Sequence, residues 1–211
     1  MKLFAAHTYV SPRTRPLNAE ETEVRRISYA IKEQYPSSLV VSQAAFDMAN
    51  AMPDYIGDCV FIPVPASTGC CTANLTLCLA IAELRRNSHR DMVCNVFFRT
   101  RPTESQCARH RQGLGPLTPE AHEIRKPGFL SVPLGPLVFV DNVCTSGSTL
   151  RACSDCFWGL GSGLVYADAT NGKAKYLEDS PSPASPATCH RKGMNHGQDR
   201  QGRHCDLRCA A

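Results

Sequence analysis

Leu137-Val138-Phe139-Val140-Asp141-Asn142-Val143-Cys144-Thr145-Ser146-Gly147-Ser148-Thr149-Leu150 runs from four apolar residues through a carboxylate into a cluster of hydroxyls around one glycine. The pattern predicts a buried strand over residues 137–140, a polar loop to Thr149 and a short helix over residues 150–160. Such a junction has a chemical use. Backbone N–H groups exposed at a helix start, with the hydroxyls of Thr145, Ser146, Ser148 and Thr149, can surround a phosphate, and Gly147 lets the backbone approach it. Asp141 would repel that phosphate, so its place is to accept hydrogen bonds from sugar hydroxyls. A loop of this shape also suits other phosphate-bearing ligands, or is a plain strand-loop-helix turn. Neither GxxxxGK[ST] nor GxGxxG occurs in the chain, which removes the main support for nucleoside triphosphatase and dinucleotide readings.

Outward from this stretch, strand and helix signals alternate. Asn18 followed by Glu21 has the form of a capping box, and Val24, Ile27 and Ile31 recur at helical spacing, predicting a helix over about residues 19–34. A shorter helix is expected over residues 43–50. CVFIPVP from Cys59 is a continuous apolar run of strand length, as in a buried parallel strand. Residues 66–69 form a loop, a helix follows over about residues 72–86, and MVCNVFF from Met92 is the next strand. Residues 99–136 carry many prolines and charges without a clean period, which predicts a long loop region with room for a hairpin. A last strand is expected over residues 164–167. Alternation of this kind argues for an α/β fold, a mostly parallel central sheet flanked by helices with its ligand loops at the carboxyl ends of the strands.

The 211 residues are 43% hydrophobic and 20% charged, ordinary values for a globular protein. The domain is expected over residues 1–178. Residues 179–211 begin with Asp179 and SPSPASPAT over 180–188, a Pro/Ser linker, and continue into a basic segment too poor in apolar residues to pack. Of the net charge of +4, most sits in the last 23 residues, from Cys189 on, where Arg191, Lys192, Arg200, Arg203 and Arg208 outnumber Asp199 and Asp206. The body is nearly neutral, so nucleic acid is not expected on it and is a candidate partner only for the tail. Cys189, His190, His196, His204, Cys205 and Cys209 could bind zinc by chemistry but lack a C-x₂-C pair, so a zinc module and an unstructured basic tail both stand, the second favoured. The body cysteines fall mostly in apolar runs and read as reduced and structural. Cys153 and Cys156 form C-x-x-C within the expected helix, where the spacing places two small residues on one face. Phe157 and Trp158 are expected in the core. The first residues lack the apolar run of a secretory signal and no long apolar segment occurs, which predicts a cytoplasmic protein with no membrane partner.

Residues 137–150 resemble the motif by which type I phosphoribosyltransferases bind 5-phosphoribosyl-1-pyrophosphate (PRPP). The resemblance assigns Asp141 and Asn142 to the ribose hydroxyls, as the catalytic pair, and Thr145, Ser146, Gly147, Ser148 and Thr149 to the 5-phosphate. Asn142 stands where the family usually has a second acid. Upstream, Phe61-Ile62-Pro63-Val64-Pro65-Ala66-Ser67-Thr68-Gly69 resembles the strand and pyrophosphate loop of the same family, implying that Ala66, Ser67, Thr68 and Gly69 face the leaving pyrophosphate. That loop lacks the Lys or Arg many members carry. Arg99-Thr100-Arg101-Pro102-Thr103-Glu104-Ser105-Gln106 resembles the R-x-R-x-T-x-x-Q stretch of the competence protein F-like branch. It makes residues 99–136 a hood, with Arg99, Arg101, Arg109 and Arg111, and Lys126 beside them, as candidate pyrophosphate contacts.

The three segments occur in family order between about residues 58 and 170. The resemblance implies transfer of a phosphoribosyl group from PRPP to a nitrogen of a nucleobase or related amine, with Mg²⁺ bound mainly through PRPP oxygens and water. It also leaves room for a homodimer. The alternative is a PRPP-binding regulator or accessory protein of nucleotide metabolism or DNA uptake that has lost turnover, which Asn142 and the uncharged pyrophosphate loop make credible.

Overall fold

The computed structural model describes residues 1–177, apart from residues 14, 34, 35, 106, 107, 110, 111, 129–134 and 175. Arg111, Gln106 and the whole Cys/His tail therefore lie outside the described residues.

Asn18 caps α1 (Ala19–Ala30) through the expected capping box: its side chain accepts from the Glu21 N–H while the Glu21 carboxylate accepts from the Asn18 N–H. Ser37 caps α2 (Ser38–Ala51), which begins five residues earlier than the apolar pattern alone suggests because the Ser37 hydroxyl accepts from the Val40 N–H. Helix α3 covers Thr72–Arg85, and α4 covers Ser148–Asp155. The chain leaves α4 through Trp158, Gly159 and Gly161, all at positive φ, so the helix ends earlier than expected.

Five strands form one sheet in the order β1-β7-β6-β2-β3, every neighbour parallel: β1 Leu3–Thr8, β2 Val60–Pro63, β3 Met92–Val93, β6 Leu137–Cys144 and β7 Ser162–Asp168. The mostly parallel α/β sheet expected from the sequence is thus present. Strand β1 has no counterpart in the sequence expectations; it closes the sheet on the β7 side. Alternation along each strand sends side chains to two cores. Phe61, Val138, Val140, Leu164 and Tyr166 meet α1, α2 and α3 on one face. Val60, Ile62, Phe139 and Val165 meet α4, Val96, Phe97 and Ile124 on the other. Phe157 is buried there as expected, whereas Trp158 is 85% exposed, placed outside the core by the chain reversal at its positive φ.

Two strand expectations change. MVCNVFF does not form one strand: it gives β3 and, after an interruption, β4 (Phe98–Arg99), which pairs antiparallel with β5 (Ile124–Arg125) in a separate two-stranded ribbon. The reason lies in β2. Its residues alternate in donating to β6 and to β3, and Pro63 stands on the β3 side with no N–H to give, so that ladder ends early. Strand β6, in turn, does not stop at Val140. It continues through Asp141, Asn142, Val143 and Cys144 because β7 pairs with it as far as Cys144↔Asp168. Asp141 and Asn142 are strand residues, not loop residues.

At the amino ends of β2 and β3, the carboxylate of Asp91 accepts from the Arg85 guanidinium at 2.7 Å and from the Cys59 N–H at 3.0 Å. Asp91 is 1% exposed at its side chain. Burial alone would raise its pKa, but Arg85 and the Cys59 N–H outweigh it and hold the group below the usual carboxylate range. Stability from this pair is present above the unfolded-state pKa of an aspartate and is lost as pH falls through the lower folded-state value. Asp91→Ala strands a nearly buried guanidinium. It should cost about 3–5 kcal/mol in urea denaturation at pH 7, and a loss under about 1 kcal/mol would contradict this account.

Candidate functional site

The site exists because β2 and β6 part. Val64 N–H donates to Val140 O at 3.0 Å, and the next residue able to reach β6, Ala66, turns its N–H to Cys70 O at 2.9 Å instead. Beyond that point β6 has a neighbour only on its β7 side. The chain leaves β2 toward α3 and β3, and leaves β6 toward α4 and β7, so the gap lies at the switch point of the sheet, at the strands' carboxyl ends. A cavity of about 470 Å³ opens there.

Asp141, Asn142, Thr145, Ser146, Gly147 and Thr149 line this cavity together with Ala66, Ser67, Thr68 and Arg99. Ser148, Gly69, Arg101 and Arg109 do not line it. Asp141 is partly buried; its Oδ1 accepts from the Asn142 N–H at 2.8 Å and from the Asn74 side chain at 3.2 Å. Burial raises its pKa against these hydrogen bonds and against the positive charges of Lys32 and Arg99. Asn142 Oδ1 accepts from the Val143 N–H at 2.8 Å, which leaves the amide –NH₂ to serve as donor.

Two turns present backbone N–H groups without protein acceptors among the described residues. In the first, Gly69, at φ 91°, donates its N–H to Ala66 O at 2.9 Å, so this amide closes the turn and does not face outward as expected from the sequence. The N–H groups of Ser67 and Thr68 have no acceptor among the described residues. In the second, the same holds for Thr145, Ser146 and Thr149. Gly147 takes φ 79°, and a Cβ there would stand 2.5 Å from Leu177 Cγ. Glycine is thus needed for the backbone conformation and for the close approach of Leu177, and not only for access to a ligand. The Ser148 hydroxyl is buried against His122 Nε2 at 2.8 Å and Ser146 Oγ at 3.1 Å, so it braces the loop.

The arginines divide. The Arg99 guanidinium donates to Ala66 O at 2.7 Å, Pro65 O at 3.0 Å, Thr103 Oγ1 at 3.2 Å and the His122 carbonyl. Its donors hold the first turn, and burial lowers its pKa from the ordinary arginine value. Arg101 is 73% exposed at its side chain and pairs with Glu123, while Arg109 pairs with Glu104 and donates to Gly115 O. The Lys126 ammonium lies 5.4 Å from the centre of the Phe157 ring, away from the cavity.

Sequence reasoning missed His122, Asn74, Lys32 and Tyr29. Asn74 was detectable in principle as a polar residue on the apolar face of α3, where it joins Val64 O to Asp141. His122 offered no signal: it lies in a charged, proline-rich stretch and reaches Ser148 only through the fold. Its Nδ1 is 3.4 Å from Arg99, and burial followed by the Arg99 charge lowers its pKa to about 4.

For magnesium, the residues lining the cavity carry hard oxygen donors, among them the carboxylates of Asp141 and Glu104 and the hydroxyls of Ser67, Thr68, Thr145 and Ser146. Among the described residues no three His, Cys, Asp or Glu side chains gather as a metal cluster. Among them, too, no helix is long and apolar enough to cross a membrane. The eight described cysteines are free thiols; Cys153 is buried and Cys156 half-buried, and burial raises the pKa of both. No protein-family model matches the chain, and no curated protein matches it.

Two outcomes test the braced loop. Because His122 is held neutral, the unfolded chain takes up a proton between pH of about 6.5 and 4 that the folded chain refuses, so stability falls over that window. His122→Gln should flatten the fall by up to about 3 kcal/mol, read from urea midpoints at pH 7 and 4.5; parallel curves for both proteins would refute the assignment. Gly147→Ala should cost about 2 kcal/mol or more. Adding Leu177→Ala should relieve the clash but leave about 1 kcal/mol of backbone strain, measured as a double-mutant cycle.

Proposed function

We propose that the cavity binds PRPP and that the chain is a type I phosphoribosyltransferase, moving the phosphoribosyl group to a nitrogen of a nucleobase or related amine. The observation that carries this reading is the order of groups around one cavity: a turn whose Ser67 and Thr68 amides have no acceptor among the described residues, the Asp141 carboxylate on β6, and a second turn where the same holds for the amides of Thr145, Ser146 and Thr149. Two anion cradles with a hydroxyl acceptor near both match a molecule with a pyrophosphate, a ribose and a phosphate.

In the reaction so proposed, the bond between C1 and the pyrophosphate oxygen breaks with its electron pair leaving on pyrophosphate. The acceptor nitrogen donates its lone pair to C1, and a proton on that nitrogen passes to solvent. Asp141 holds the ribose hydroxyls, and its negative charge lies close enough to favour positive charge building on the sugar. The Ser67 and Thr68 amides hold the leaving group. Bound Mg²⁺, when present with PRPP, supplies Lewis-acid charge to the pyrophosphate oxygens. Arg99 acts as a positioning residue by tethering the Pro65 and Ala66 carbonyls.

A second reading, PRPP binding without turnover, is favoured by one feature: the only arginine lining the cavity among the described residues spends its donors on protein carbonyls and Thr103. Calorimetric titration with PRPP and magnesium, followed by a pyrophosphate-release assay over a panel of bases, separates the two. Asp141→Ala should weaken PRPP binding by about tenfold or more. In the wild type, affinity should decline on acidification at a pH above the usual aspartate range, since Asp141 takes up its proton early. No saturable PRPP binding, or binding indifferent to Asp141→Ala, removes both readings.

A further inference from the structure

The wall formed by Thr145 and Ser146 has a second side. A separate cavity of about 530 Å³ lies beyond it, sharing Tyr29, Lys32, Val143, Thr145 and Ser146 with the first and otherwise lined by residues following β1, by α1, by residues following β7 and by Leu114 and Pro116. Its volume is that of a small-molecule site, for which roughly 300–1,000 Å³ is usual. The charges lining the two cavities differ. Asp141 and Glu104 face Arg99 and Lys32 in the first, whereas the second is lined by Arg13, Arg25 and Lys32 with no Asp or Glu among the described residues.

Arg25 is the informative residue. It is half-buried, with its guanidinium beside the hydroxyls of Tyr29 and Tyr9, while its Nε is buried without an acceptor among the described residues, so that one donor is left unmatched. The Arg25 guanidinium lies 5.4 Å from the centre of the Tyr29 ring, and Lys32 Nζ lies 5.9 Å from the same ring. The hydroxyls of Tyr29 and Tyr9 beside Arg25 raise its pKa further, so it stays charged at every working pH. Flat guanidinium and phenol surfaces, with Pro12, Leu114 and Pro116 as apolar walls, suit a planar ligand, and the fork of an arginine suits a carboxylate.

We propose that this second cavity binds a small planar organic carboxylate beside the first cavity, with Arg25 and Lys32 as its charge partners. This binding does not rest on the phosphoribosyl-transfer reading. Lys32 joins the two sites physically, because it lines both and its charge reaches the Asp141 carboxylate.

The test uses the full chain, isotope-labelled, with benzoate, the neutral isostere benzamide and inorganic phosphate as probes followed by NMR titration. Benzoate should bind about tenfold or more tightly than benzamide and more tightly than phosphate, shifting the Arg25 Nε–H signal and amides of residues 25–32, and Arg25→Met should weaken it by about tenfold. If Arg25→Met does not fold, Lys32→Met at the exposed end of the pair gives the same reading with a smaller loss. Equal affinity for benzamide, preference for phosphate, or benzoate binding unchanged in both variants would overturn the proposal. Titration of the wild type with PRPP and magnesium, read at the amides of residues 67, 68, 145, 146 and 149, reports separately on the first cavity, so failure of either site is seen without the other.

Discussion

The separation of β2 from β6 after Val64 and Val140 is the constraint on which the rest of the structure depends. In a parallel ladder each strand donates alternately to its two neighbours, and the sequence around β2 uses this twice. Val60 and Val64 donate to the β6 side, and Ala66, next in that series, is diverted into the turn closed by Cys70. On the other side Pro63 and Pro65 have no N–H, so β3 stops after two residues and the chain is released to form the β4–β5 ribbon. One short segment therefore ends two ladders, opens the cavity and frees the residues that cover it.

What keeps the opening in shape is a set of polar contacts with partial burial. Arg99 ties the ribbon to the Pro65 and Ala66 carbonyls, His122 ties it to Ser148 at the start of α4, and Asn74 ties α3 to both Val64 O and Asp141. Each is a donor or acceptor that would be costly to bury alone, and each is satisfied by a backbone or hydroxyl partner from a different element. The two turns are thereby held relative to each other by side chains that need not touch a ligand. Burial shifts the members in the expected directions: it lowers the pKa of Arg99 and His122 and raises that of Asp141.

The two ends of the sheet are built for different purposes. At the amino ends, the Arg85–Asp91 pair closes on Cys59 and on the carbonyls of Ile56 and Gly57. At the carboxyl ends, amides of Ser67, Thr68, Thr145, Ser146 and Thr149 lack protein acceptors among the described residues. Unpaired backbone donors gather where the ladders run out, because a strand that loses its neighbour also loses the partners of its polar groups.

The sequence by itself determined the alternation of strand and helix, the cap at Asn18, the burial of the central strands, and the glycine-containing loops that end at Gly69 and pass through Gly147. These follow from local rules: apolar period, capping chemistry and the conformational freedom of glycine at positions such as 69 and 147. Only tertiary structure decided that Asp141 and Asn142 belong to a strand, since this depends on how far β7 runs alongside. It also decided that Arg99 serves the protein backbone, that Ser148 turns inward to His122, and that Arg25 and Lys32 meet the far side of the Thr145–Ser146 wall. Those outcomes join residues distant in the chain, and a pairing between distant residues leaves no periodic trace in either segment.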